Sequence, residues 1–231
     1  MVTAVQPAAA ERRWPTRRVG WVGAGAAASV VLVLAVLIVR GWPPLLRFDE
    51  SMDDTIHSWT LVTPWAVRGS EILQAAGSFA ACVLVVAATT ILLVLAHRWR
   101  AALALVAVAS LAPFVTSLLE PVVGRARPVW EHSLGSEATL SYPSGHATAG
   151  IAVYAACGVA LASLMRSRAW GLGVALAFGA FGAFGVAMGV SRLVLGVHWS
   201  SDVLGGFCVA LTVAGTAGAL LVLPPAPSPA S

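Results

Sequence analysis

Charge is scarce in this sequence. Only 10% of its 231 residues are Asp, Glu, Lys or Arg, less than half of the roughly one quarter that a soluble domain carries. With 58% hydrophobic residues and a mean hydropathy of +0.85, the chain cannot cover a water-facing surface. The same figures exclude a disordered chain, a disulfide scaffold and a fibrous repeat. Lysine is absent, so all 14 basic residues are arginine. They lie scattered between apolar runs, which excludes a nucleic-acid-binding patch. Cysteine is also scarce. Cys82, Cys157 and Cys208 each fall inside an apolar run, without CxxC or Cys/His spacing, and read as buried packing thiols rather than zinc ligands or disulfides. No internal repeat of the kind found in inverted-repeat transporters is apparent.

What is present is a set of long apolar runs. A bilayer core needs about 20 apolar residues per helix, and six stretches qualify, roughly 21–40, 72–96, 101–119, 147–165, 170–190 and 203–223. The first is too long for a signal-peptide core, and Gly41-Trp42-Pro43-Pro44 follows it instead of a small-residue cleavage site. The expected architecture is all-α, a six-transmembrane helical bundle. It divides into an N-terminal tail 1–20, a membrane domain 21–223 and a disordered tail 224–231. Arginines fix its orientation: Arg12, Arg13, Arg17 and Arg18 precede the first run, Arg98 and Arg100 separate the second from the third, and Arg166 and Arg168 separate the fourth from the fifth. The positive-inside rule places these in the cytoplasm and the loops 41–71, 120–146 and 191–202 outside. The Arg/Ala/Gly/Val-rich composition points to a GC-rich bacterial genome, hence a multi-pass protein of a bacterial plasma membrane.

Smaller features are structural. Trp21, Trp42, Trp99 and Trp170 stand at span ends, where indoles anchor to the interface. The segment 48–70 mixes Ile56, Trp59, Leu61, Val62, Trp65 and Val67 with acids and reads as a short helix on the outer surface. Gly179, Gly182, Gly185 and Gly189 give the fifth span a small-residue face for close helix packing. His57 and His97 read as interfacial, and His132 as solvated.

Three polar clusters in the outer loops have no such explanation: Gly124-Arg125-Ala126-Arg127-Pro128, Pro143-Ser144-Gly145-His146, and Ser191-Arg192 followed by His198 and Asp202. Singly, each matches snorkelling, capping or solvation. Jointly they make a phosphate site. Arg127 and Arg192 offer planar donors to phosphoryl oxygens. Ser144 and Gly145 begin the fourth span, where free N–H groups and the helix dipole favour an anion, and Gly145 lets it approach the main chain. Asp202 lies four residues after His198, so in a helix it would hold one imidazole nitrogen and leave the other free to attack. His146 supplies a second imidazole for the leaving group.

In order and spacing the clusters resemble the signature of the type 2 phosphatidic acid phosphatase superfamily of integral membrane phosphatases: Lys-x6-Arg-Pro, Pro-Ser-Gly-His, and Ser-Arg-x5-His-x3-Asp. The resemblance spans roughly 120–202, with the second and third motifs complete. It implies that His198 is the nucleophile, forming a phosphohistidine, that Asp202 orients it, and that His146 protonates the leaving group. Arg127, Arg192, Ser144 and the Gly145 amide would hold the phosphoryl oxygens. It implies a membrane lipid phosphate or pyrophosphate as substrate, with no cofactor and no metal.

The first motif departs. Glu120 stands where the family has lysine. Three readings stand: Glu120 points away and pairs with Arg125 or Arg127, leaving a slower enzyme; it recognises a different headgroup; or the chain binds lipid phosphates without turnover. The intact His146, His198 and Asp202 argue against the last. A phosphotransferase with the same phosphohistidine differs only in its acceptor. An anion transporter is disfavoured, because the ionisable residues gather at one face rather than at mid-membrane. The similar vanadate-dependent haloperoxidases are soluble, unlike this chain.

Overall fold

The computed structural model describes residues 14–135, 137–162, 164 and 170–221. Residues 1–13 of the N-terminal tail, with Arg12 and Arg13, the C-terminal tail, Arg166 and Arg168 lie outside the described residues, while residues 14–20 already belong to the first helix. Among those described, every regular element is helical: α1 Trp14–Val39, α2 Pro43–Leu61, α3 Pro64–Ala76, α4 Phe79–Leu95, α5 Trp99–Val123, α6 Gly145–Ala149, α7 Ala156–Ala162, α8 Trp170–Val194 and α9 Ser200–Leu221. A π-helical turn, Gly150–Ala155, joins α6 to α7, so the fourth apolar run is one rod with a widened middle.

Local chemistry sets the breaks. Proline occupies the first turn of both α2 and α3, where its missing N–H costs nothing. Helix α5 stops at Gly124, which has φ +64° and donates its N–H to the Glu120 carbonyl. Only glycine adopts that conformation without strain.

Among the described residues three helices are long and apolar enough to cross a bilayer, Arg18–Val39, Trp99–Val123 and Ser200–Leu220, or four if the bent pair below is one span. The expected straight span 72–96 is broken. Pro64–Ala76 and Phe79–Leu95 meet at 56°, because Ser78 leaves the helix and caps a new one by accepting from the Ala81 N–H. Gly145–Leu161 and Gly179–Val194 are shorter apolar helices.

The core lies where α4, α5, α7, α8 and the π turn meet, around Leu93, Leu105, Val153, Cys157 and Met188. Cys82, Cys157 and Cys208 are buried and free. Helix α1 packs along α9 and accepts a hydrogen bond from the Tyr142 hydroxyl at the Val31 carbonyl, 2.8 Å. The glycine face of α8 is used at one end. A Cβ on Gly185 would lie 2.5 Å from the Gly150 carbonyl oxygen and one on Gly189 2.3 Å from Phe207, whereas Gly179 and Gly182 face open space. Leu84, Leu95, Leu103, Phe114 and Val122 are exposed on α4 and α5, as lipid-facing residues are.

The outer segment differs from expectation. It forms two helices, α2 and α3, and α2 turns its polar residues inward. Asp49, Asp53, His57 and Thr60 are buried, while Phe48, Met52 and Trp59 are exposed. His57 is therefore not interfacial. It stacks on Trp130 at 4.4 Å, and Trp130 donates to the Gly196 carbonyl. The i, i+4 spacing of 49, 53 and 57 puts these three on one face, and that face meets the α8–α9 connection.

Candidate active site

The polar clusters converge at one end of the bundle. His198 sits in the connection between α8 and α9, 3% exposed. Its Nδ1 is 2.8 Å from the Ser141 carbonyl and its Nε2 is 2.9 Å from Arg127 Nη1. A carbonyl only accepts and a guanidinium only donates, so the proton is on Nδ1 and the Nε2 lone pair accepts from Arg127. Burial holds the imidazole below its ordinary pKa, against the opposing pull of Asp202. At neutral pH it is the unprotonated, nucleophilic form.

The expected His198–Asp202 hydrogen bond is not made. Residue 198 precedes the helix, and Asp202 Oδ2 lies 3.6 Å from Nδ1. That oxygen instead accepts from the Ser141 hydroxyl and from the Trp199 N–H, while Oδ1 accepts from Arg125 Nη1 at 2.7 Å. Asp202 thus fixes Ser141, whose carbonyl fixes the ring, and adds its charge from just beyond contact. Sequence spacing does not reveal Ser141, because the contact spans 57 residues.

The two expected phosphate arginines differ. All five donors of Arg127 are taken. Nε donates to the Thr139 carbonyl, Nη1 to the Val197 carbonyl and His198 Nε2, and Nη2 to Thr139 Oγ1 and the Leu140 carbonyl. Arg192 is fully buried, and Nη2 pairs with Glu137 Oε1 at 2.6 Å. Among the described residues its Nε and Nη1 have no partner. A buried donor left unmade costs about 1–3 kcal/mol, so both nitrogens would gain from an acceptor. Glu137, on the loop between α5 and α6, holds Arg192 in a contact that the motif pattern does not reveal.

Ser144 Oγ caps α6 by accepting from the Ala147 N–H at 3.4 Å, and the Ser144 N–H donates to the Asp202 carbonyl. Nothing lies within 4 Å of a Cβ built on Gly145, so its main chain is open to a ligand. His146 lies close enough to Arg192, Glu137 and His198 to sense their charges, and the Gln74 carbonyl accepts from its ring. Gly77, at the α3–α4 bend, makes room for it: a Cβ there would stand 2.5 Å from His146 Cδ2. The broken second span is therefore part of how the imidazole is seated.

Glu120 does not pair as expected. Arg125 is held by Asp49 at 2.6 Å and Asp202 at 2.7 Å, and Arg127 by carbonyls. Among the described residues neither arginine makes an ion pair with Glu120. His132 is exposed. No group of three His, Cys, Asp or Glu among the described residues is arranged to hold a metal ion.

A bundle of apolar helices that gathers His146, His198, Arg127 and Arg192 near one another fits a membrane protein of phosphatase type. The PAP2 superfamily model matches residues 100–221, more than half of the chain, and the chain belongs to that superfamily. Its fold is similar to that in the crystal structure of a transmembrane PAP2-type phosphatidylglycerolphosphate phosphatase from Bacillus subtilis. The TM-score is 0.73 at 22% identity, covering 84% of this chain and 94% of that one; at this identity the likeness is one of fold. A search of curated proteins finds no match.

Proposed function

We propose that the chain hydrolyses a phosphomonoester or pyrophosphate on a membrane lipid through a phosphohistidine on His198. The observation that carries this reading is the pinned ring: Nδ1–H on the Ser141 carbonyl and Nε2 on Arg127, with the buried Arg192, two of its nitrogens unpartnered among the described residues, near enough for its charge to act on the ring. The phosphoryl group takes the Arg192 donors and the Gly145 amide, the Arg127 Nη1–H that holds Nε2 passes to a phosphoryl oxygen, and the freed lone pair attacks phosphorus. Burial disfavours the His146 imidazolium, the anionic phosphoryl group favours it, and the ester P–O bond breaks as that ring, protonated when substrate binds, gives its proton to the leaving oxygen. Charge on the phosphorylated ring is balanced by Asp202 through Ser141. Water, deprotonated by His146, then attacks phosphorus, and the P–N bond breaks to return His198 and free phosphate. Most of the catalysis is positioning and stabilisation of the equatorial oxygens.

An apolar groove of about 770 Å³ supports a lipid substrate. It lies between α4 and α5, lined by Val83, Val86, Ile91 and Val106, and reaches Gly77 and Gly145. A headgroup phosphate in the pocket would leave its acyl or prenyl chain in this groove. Six spans, with the N-terminus cytoplasmic and the pocket extracytoplasmic, remain the reading that the arginines support. Arg98 and Arg100 follow α4 at the end away from the pocket.

The test is phosphate release by the purified protein from a panel of lipid phosphates and pyrophosphates. Phosphatidylglycerol phosphate, named for the structural neighbour, is the first to assay. Wild type releases phosphate and His198→Ala does not. Glu120→Lys adds a cation near Arg127 and lowers KM several-fold by Coulomb attraction. Abolished turnover in that variant would mean that the glutamate has its own task at the headgroup.

A further inference from the structure

The mechanism above uses nothing from α2, yet that helix buries three polar side chains against the loop that carries His198. Asp53 accepts from the Ser200 N–H at 3.0 Å and from its hydroxyl at 2.7 Å. His57 stacks on Trp130, which holds the Gly196 carbonyl. Asp49 does more. Its Oδ1 accepts from the Ser201 N–H at 2.9 Å, and its Oδ2 from the Ser201 hydroxyl and Arg125 Nη2, both at 2.6 Å. Arg125 Nη1 then reaches Ser201 Oγ and Asp202 Oδ1, both at 2.7 Å. Asp49 and Asp202 are fully buried, and Arg125 is 9% exposed. One guanidinium thus bridges two carboxylates in a water-poor site, and the second carboxylate belongs to the catalytic cluster.

The geometry points to Asp49 as a positioning residue for phosphoryl transfer: it holds Arg125 so that Asp202 keeps Oδ1 on the arginine and Oδ2 on Ser141, the residue that pins His198. The inference rests on the phosphohistidine reading and adds an outer-helix carboxylate to it. Without Asp49, Arg125 carries an uncompensated charge toward Asp202, which weakens the negative field at His198. These contacts also explain why two of the four acids of α2, Asp49 and Asp53, face inward while Glu50 and Asp54 stay exposed. The inward pair caps the first turn of α9 across space, where orphan N–H groups and the helix dipole favour carboxylates.

The test is the pH profile of kcat/KM, because loss of folded protein lowers activity at every pH without moving the profile. The groups facing His198 are Asp202 on α9, Arg192 on α8, His146 on α6, Arg125, Arg127 and Glu137 on loops, and Asp49 on α2. Substrate ionisation is common to all variants. Asp49→Asn lowers kcat by on the order of tenfold with KM little changed, a smaller loss than removing a carboxylate that touches the imidazole. It moves the acidic limb to lower pH by about half a unit, since a lost anion disfavours the imidazolium. Arg125→Gln moves that limb to higher pH. The double variant, which removes both buried charges and is the better folder if Asp49→Asn fails to assemble, returns it toward wild type. Wild-type profiles in all three, with only the amount of activity reduced, would overturn the inference. Turnover that survives His198→Ala would instead overturn the reading on which it rests.

Discussion

Arg127 donates to Nε2 of His198, while its other four N–H groups hold four acceptors on the surrounding loops. A residue expected as a phosphate ligand is thus also the frame of the nucleophile. Arg127→Lys replaces a five-donor fork by a single ammonium. It should lower kcat/KM by about 100-fold, with most of the loss in kcat, because Thr139, Leu140 and Val197 lose their common anchor. A change confined to KM would mean that Arg127 only binds substrate.

Arg192 is the complement: buried, with two donors open and the third nitrogen on Glu137. The glutamate is an anion beside the proposed phosphate site, so Glu137→Gln should strengthen product inhibition by inorganic phosphate several-fold. Arg192→Gln should weaken it by at least about tenfold, as expected for a lost charge-assisted contact. Inhibition constants at fixed pH check both, and weaker inhibition in Glu137→Gln would contradict the assignment.

Gly77 leaves the space that His146 occupies. Gly77→Ala should push the imidazole off its position and lower turnover of alkyl phosphates about tenfold or more, in step with His146→Ala. An aryl phosphate with an acidic leaving group needs no proton and should be hardly affected by either change. Equal losses on both substrate types would remove His146 from leaving-group protonation.

Burial, opposed by the Ser200 hydrogen bonds, raises the Asp53 carboxyl to about 6 from an ordinary 3.8. A carboxyl raised in the folded state binds more protons than in the unfolded state between those values. Its contribution to stability is therefore full below about 3.8 and is lost as pH rises through about 6. Wild type should melt at a lower temperature at pH 7 than at pH 5 relative to Asp53→Asn, whose side chain does not titrate. A constant difference between the two proteins across that range would show that Asp53 does not titrate there.

The three motifs lie on the sequence because Pro-Ser-Gly-His and Ser-Arg-x5-His-x3-Asp are short, and their residues act within a few positions of one another. The helical class was legible for a similar reason: scarce charge and long apolar runs leave a chain few alternatives. What escaped depends on contacts across the fold. Ser141 reaches His198 across 57 residues, and Asp49 reaches Arg125 across 76. Asp49 and Asp53 on α2 reverse the usual rule that charged residues face water, so their burial does not show in the composition. The break at Gly77 escaped because hydropathy does not sense a glycine pressed against an imidazole on another helix.

The most direct measurement is rapid acid-free quenching of the purified protein during turnover of a lipid phosphate labelled on phosphorus, followed by peptide mapping. The account predicts an acid-labile, base-stable phosphoryl group on the peptide containing His198, formed and lost at the rate of turnover and absent in His198→Ala. Steady phosphate release with no label on that histidine, or with His198 replaced, would contradict it.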